Sequence, residues 1–207
     1  NLKEIFCDYP KIKYKKIGSN NNIGCINGLF ASTTGIGGIT IIQAKEIYHK
    51  ENLGINITGS VEKVMKESVE VARTVAWNML NDDQKQEVIK RFDNRGIHIH
   101  FPDGSTPKDG PSGGTAITSA IYSLFTNMPI NKEVAITGEI DLDGNVTEIG
   151  GLDAKLNGAK RAGVKLVLIP EENLDSFEVV KRNNPNLIDD NFNVKTANHI
   201  SKVLEII

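Results

Sequence analysis

Between residues 61 and 101 the hydrophobic period changes from helical to extended. Val61, Val64, Met65, Val69, Ala72, Val75, Ala76 and Met79 recur at steps of three and four, laying an apolar stripe along one helix, and Ser60 stands at its expected N-cap. A second, more polar helix is predicted over residues 83–92. Ile97, Ile99 and Phe101 then alternate with His98 and His100, the two-residue period of a strand with one apolar face. A chain that carries both periods in so short a span is neither all-helical nor all-sheet.

The rest of the chain keeps to this mixture. Residues 23–47 are rich in Ile, Thr and Gly, with Gly35, Gly37 and Gly38 interrupting two β-favouring stretches, so a pair of strands joined by a hairpin or bulge is expected, with residues 28–42 in sheet. Residues 102–114 form a loop dense in Pro, Gly, Asp and Ser, after which Ala116, Ile117, Ala120, Ile121, Leu124 and Phe125 mark a helix to about residue 127. Residues 134–136 begin a strand, and Asp143 with Gly144 signals a two-residue hairpin. Gly150 and Gly151 open a helix with Leu152, Leu156 and Ala159 on one face. Residues 165–169 read as a buried strand stopped by Pro170, and 171–182 and 199–206 as helices. Elements in this order indicate a single compact α+β domain over residues 23–207. Residues 1–22, with five lysines and a polar end, read as a linker from a preceding module.

Composition removes several function classes. The 207 residues carry 24 Lys and Arg against 26 Asp and Glu, a balance that disfavours nucleic acid as a partner of this domain. No apolar run reaches the length needed to span a membrane. Cys7 and Cys25 lack C-x-x-C spacing and read as reduced thiols, which places the chain in the cytoplasm or another reducing compartment. Asn1 stands where an initiator Met is expected, so the chain reads as a piece of a longer protein.

Ser112, set between Pro111 and two glycines at a helix start, is the leading candidate nucleophile. Its hydroxyl would lie beside the N–H groups and positive dipole end of the helix, donors suited to a developing oxyanion; an ordinary N-cap is the competing reading. The same Gly-rich helix start would suit a phosphate, as in small-molecule kinases. A serine nucleophile needs a base. His98 and His100 share a strand face but belong to no G-x-S-x-G arrangement, and no third ligand of recognisable spacing follows them for a metal. Lys155, near the start of a helix with apolar turns beyond it, would lose part of its basicity if withdrawn from water, leaving some neutral amine to act as base; an exposed lysine is the alternative.

Four strings in order carry a family resemblance: residues 59–68 (GSVEKVMKES), 107–114 (PKDGPSGG), 137–155 (TGEIDLDGNVTEIGGLDAK) and 167–173 (VLIPEEN). They resemble the proteolytic domain of the Lon family of ATP-dependent Ser-Lys proteases, over about residues 23–207. The resemblance implies a Lon-type fold, Ser112 as nucleophile, Lys155 as general base, Thr137 as the hydroxyl supporting the lysine amine, and Asp109 as the acidic loop residue whose conformation changes with activation. It implies that His98 and His100 lie near the site without a catalytic part. It also implies unfolded or regulatory proteins as substrates and a hexameric ring in the parent protein. Residues 28–38 are longer than the family pattern and lack its aromatic residue, in a stretch that borders the substrate groove of relatives. There is no G-x-x-x-x-G-K-[ST] loop, so no cofactor is expected for this chain, and ATP with Mg is expected for the full-length protein. An inactive assembly or binding domain of the same family is the alternative to a peptidase.

Overall fold

The computed structural model describes residues 14–102 and 108–207. Cys7, Lys3, Lys11 and Lys13 of the expected linker and residues 103–107 of the Gly/Pro loop lie outside the described residues. The elements run β1 (Asn22–Ile23), β2 (Cys25–Ala31), β3 (Gly37–Tyr48), β4 (Ile55–Thr58), α1 (Lys63–Asn78), α2 (Asp82–Arg91), β5 (Arg95–His100), α3 (Gly114–Thr126), β6 (Pro129–Ile130), β7 (Val134–Ile136), β8 (Glu139–Ile140), β9 (Val146–Thr147), α4 (Leu152–Ala162), β10 (Leu166–Pro170), α5 (Leu174–Asn183), β11 (Asn193–Ala197) and α6 (Ile200–Leu204). Seven of these strands form one sheet in the order β11-β10-β7-β2-β3-β5-β4. Pairing is parallel from β11 to β2 and again between β4 and β5; it is antiparallel where β3 meets β2 and β5.

Helices cover both faces of the sheet, which gives two cores. On one face Val69, Ala72 and Val75 of α1 and Ile117, Ala120 and Ile121 of α3 pack with Ile42, Ile97 and Ile99. On the other, Leu156 and Ala159 of α4 and Phe177 of α5 pack with Leu29, Ile39 and Val167. The expectation of one domain of mixed strands and helices is met. The α3 helix is buried nearly all round, and two of its polar side chains fold back on the helix, Thr118 and Ser119 donating to the carbonyls of Gly114 and Thr115 at 2.9 Å, while Thr115 Oγ1 donates to Gly138 O at 3.0 Å.

Two local expectations are corrected. Ser60 does not cap α1; it lies in the left-handed region at φ 56°, and the helix begins three residues later, at Lys63, behind Glu62, whose side chain makes no cap bond. The acceptor comes from elsewhere in the chain: Asp109 Oδ1 takes the Met65 N–H at 3.0 Å. Nor does Asp143 with Gly144 make a two-residue hairpin. Ile140 pairs with Val146, and the turn between them is closed by the Asp141 carboxylate, which accepts from the Asn145 backbone and side chain at 2.8 Å. Strands β4 and β11, at the two edges of the sheet, are not among the expected strands: they are short, of four and five residues, and are set by their pairing with β5 and β10.

Candidate active site

Ser112 is half-buried in a 3-10 turn over Pro111–Gly113, directly ahead of α3. Gly110 enters this turn at φ 107°, a backbone conformation that only glycine adopts without strain. Upstream, Lys108 and α1 are stitched together by Lys108 N–H to Ser60 O and Glu62 N–H to Lys108 O, both 2.9 Å, and by the Asp109 cap. Downstream, Gly138 N–H donates to Ser112 O at 2.9 Å. The serine is thus fixed at its carbonyl and by the two residues that open its loop. Of the donors that an anion at this helix start would use, Gly114 N–H is taken by Pro111 O and Thr115 N–H by Gly138 O.

Lys155 sits one turn into α4 and is 3% exposed. Two features bring it there. Asn173, fully buried, grips the backbone of Ile149 from both sides, accepting its N–H at 3.0 Å and donating to its carbonyl at 2.9 Å, and so pins the loop before Gly151 and α4. Gly158 of α4 lies flat against the start of β3: a Cβ there would stand 2.4 Å from the Gly37 carbonyl carbon and the Gly38 nitrogen. Only glycine permits so close an approach of helix to strand.

The buried amine has no carboxylate to neutralise it among the described residues. Lys155 Nζ donates to Thr137 Oγ1 at 3.1 Å, and Thr137 Oγ1 donates to Ser112 O at 3.4 Å. Thr137 is itself 1% exposed and held after β7 by its N–H to Leu168 O at 3.1 Å. Loss of water around the amine lowers the Lys155 pKa from 10.5 to about 8. Roughly one Lys155 in ten is then neutral at pH 7, about three hundred times the share of an ordinary lysine.

Ser112, Lys155 and Asp109 line one cavity of about 880 Å³, together with Gly28, Phe30 and Gly37. In this structure the Ser112 hydroxyl and the Lys155 amine share the cavity without a hydrogen bond between them. The stretch 28–38, expected beside a groove, does form part of its lining. His98 and His100 do not: both rings reach Thr58 Oγ1, His98 Nε2 at 2.8 Å and His100 Nδ1 at 2.7 Å, and no group of three metal-binding side chains occurs among the described residues. Sequence reasoning missed the parts of Asn173 and Gly158. Both left a trace, since a glycine amid apolar helical positions often marks close packing and Asn173 ends the last of the four strings.

The profile of the Lon protease (S16) C-terminal proteolytic domain matches residues 1–207. A Lon protease homolog of Acanthamoeba polyphaga mimivirus is 42% identical over 204 residues, covering 96% of this chain and 20% of the relative. Lon protease of Campylobacter jejuni is 38% identical over 214 residues, covering 99% and 26%, and that of Fusobacterium nucleatum 43% over 164 residues, covering 78% and 21%. The chain spans about a fifth to a quarter of the length of these relatives. With a family profile matched along the whole chain and relatives 38–43% identical over most of it, the chain belongs to the Lon protease family as a C-terminal proteolytic domain.

Proposed function

We propose that this domain is a serine endopeptidase acting through Ser112 and Lys155. Neutral Lys155 takes the proton from Ser112 Oγ as the oxygen attacks the carbonyl carbon of a peptide bond. The tetrahedral species collapses to an ester on Ser112, and Lys155 returns the proton to the departing amine. Neutral Lys155 next deprotonates a water, which hydrolyses the ester and restores the serine. Thr137 orients the amine throughout, its hydroxyl proton directed to Ser112 O and its lone pair to Lys155. Asp109 braces the loop ahead of the serine against α1, and a shift of this loop would accompany activation. Hydrogen-bond contact between the two catalytic groups tightens when peptide fills the cavity, as catalytic contacts commonly do.

The observation that carries this reading is a lysine buried without a counter-charge among the described residues, in the cavity that holds a half-buried serine. The full-length protein is proposed to be an ATP- and Mg-dependent hexamer that degrades unfolded or regulatory proteins in the cytoplasm or another reducing compartment. No helix among the described residues is long and apolar enough to cross a membrane. Hydrolysis of casein or a fluorogenic peptide by wild type, Ser112→Ala and Lys155→Ala tests the dyad: both variants are expected to fall to background, and equal rates in all three would remove it.

A further inference from the structure

One wall of the cavity runs without a break from Phe30 to Tyr14. The Phe30 ring lies against Gly38, where a Cβ would be 2.8 Å from Phe30 Cε1. The neighbouring Gly37 carbonyl accepts from Arg161 Nη2 at 2.7 Å, and the Arg161 guanidinium stacks over the Tyr14 ring, 4.0 Å from its centroid. Residues 14–17 are fastened to the end of α4 by Lys16 Nζ to Arg161 O and by Ile17 N–H to Ala162 O at 3.1 Å. Tyr14, Phe30, Gly37, Gly38 and Arg161 all line the cavity that holds Ser112 and Lys155.

Two properties give this wall a use. Tyr14, Phe30 and Ile36 are large apolar side chains 42%, 43% and 48% exposed, and all three line this one cavity. Apolar surface left open together marks a binding face, and the occupant of a peptidase cavity is an unfolded polypeptide. Gly37 also bears on the catalytic helix: a Cβ on it would lie 1.9 Å from Ala154 O and 2.9 Å from Lys155 N. Arg161 therefore holds, through one carbonyl, the strand end against which the Lys155 backbone rests.

We propose that Arg161 is a positioning residue for substrate, joining Tyr14 and Gly37 into one wall that receives apolar side chains of an extended polypeptide, so that residues 14–17 belong to the peptide site. The proposal rests on the peptidase reading of the same cavity, and its test is made independent of turnover. In a Ser112→Ala background, fluorescence anisotropy measures the Kd of a fluorescein-labelled decapeptide containing Leu and Phe, with thermal melts confirming the fold of each variant. Arg161→Ala and Tyr14→Ala are each expected to weaken binding about five- to tenfold, as loss of a charged hydrogen bond or a cation–π stack would. Tyr14→Phe keeps the ring and should bind as the parent does. Combining the two alanine changes should add little to Arg161→Ala alone, because loss of Arg161 already releases the Tyr14 ring from the wall. Unchanged affinity in Tyr14→Ala, or losses that add in the double variant, would overturn the proposal. Should Arg161→Ala fail to fold, the Tyr14→Ala and Tyr14→Phe pair decides it. Peptide hydrolysis persisting in Ser112→Ala would instead overturn the dyad and leave this binding comparison standing.

Discussion

Lys155→Met should stabilise the domain at neutral pH while abolishing its chemistry. Burial lowers the Lys155 pKa from 10.5 to about 8, so the folded state holds the proton less tightly than the unfolded chain does. The sign follows from linkage: the penalty is complete below the folded pKa and fades as pH rises toward the unfolded one. It amounts to about 3 kcal/mol at pH 7 and about half that at pH 9.5. Methionine keeps most of the apolar stem and has no charge to desolvate. Against the gain stands the hydrogen bond to Thr137, a loss of about 1 kcal/mol. The net expectation is a variant about 2 kcal/mol more stable at pH 7, a rise of roughly 4–8 °C in Tm, with little or no advantage at pH 9.5. Urea unfolding of both proteins at the two pH values measures this difference, and titration of every other lysine cancels in the comparison. A variant less stable than wild type at pH 7, or a gain equal at both pH values, would show that desolvation of the amine is not what sets its pKa.

Two further changes probe the supports. Thr137→Val preserves shape and removes the acceptor of the Lys155 amine, so Ser112 acylation by a small electrophile should slow by about ten- to a hundredfold, with its pH midpoint moved below 8 because the cation loses a partner. An unchanged rate would leave the threonine a purely structural residue. Asp109→Ala removes the acceptor of the Met65 N–H and should cost about 1 kcal/mol in urea unfolding, most of it regained by Asp109→Asn. No loss in the alanine variant would mean that water serves the α1 terminus equally well.

The order of elements was legible because periodicity is a local property. The stripe of α1, the alternation of β5 and the Leu152, Leu156 and Ala159 face of α4 each report a face that must be buried, and the structure buries them, the α1 stripe from Val69 onward while Val64 stays exposed. The capping of α1 was not legible, because its acceptor is Asp109, 44 residues away, while the nearer Ser60 is turned into the left-handed region by the pairing of its neighbours with Lys108. The same holds for the site. Ser112 and Lys155 could be named from local setting and resemblance, but the burial of Lys155 depends on Gly158 meeting Gly37 and on Asn173 gripping Ile149, contacts between segments far apart in the chain. Edge strands β4 and β11 follow the same logic, since they are strands by virtue of the neighbour they pair with.

The pH dependence of Ser112 acylation tests the central claim most directly. A fluorophosphonate reacted with the 207-residue chain, with the modified residue located by peptide mass spectrometry, reports the nucleophile and its base together. The rate in wild type should rise with pH around a midpoint of about 8, as Lys155 loses its proton, with the label on Ser112 alone. Lys155→Ala should lower that rate by about two to four orders of magnitude. Labelling at another residue, or a rate and pH profile unchanged by Lys155→Ala, would contradict the assignment of Ser112 and Lys155 as one catalytic pair.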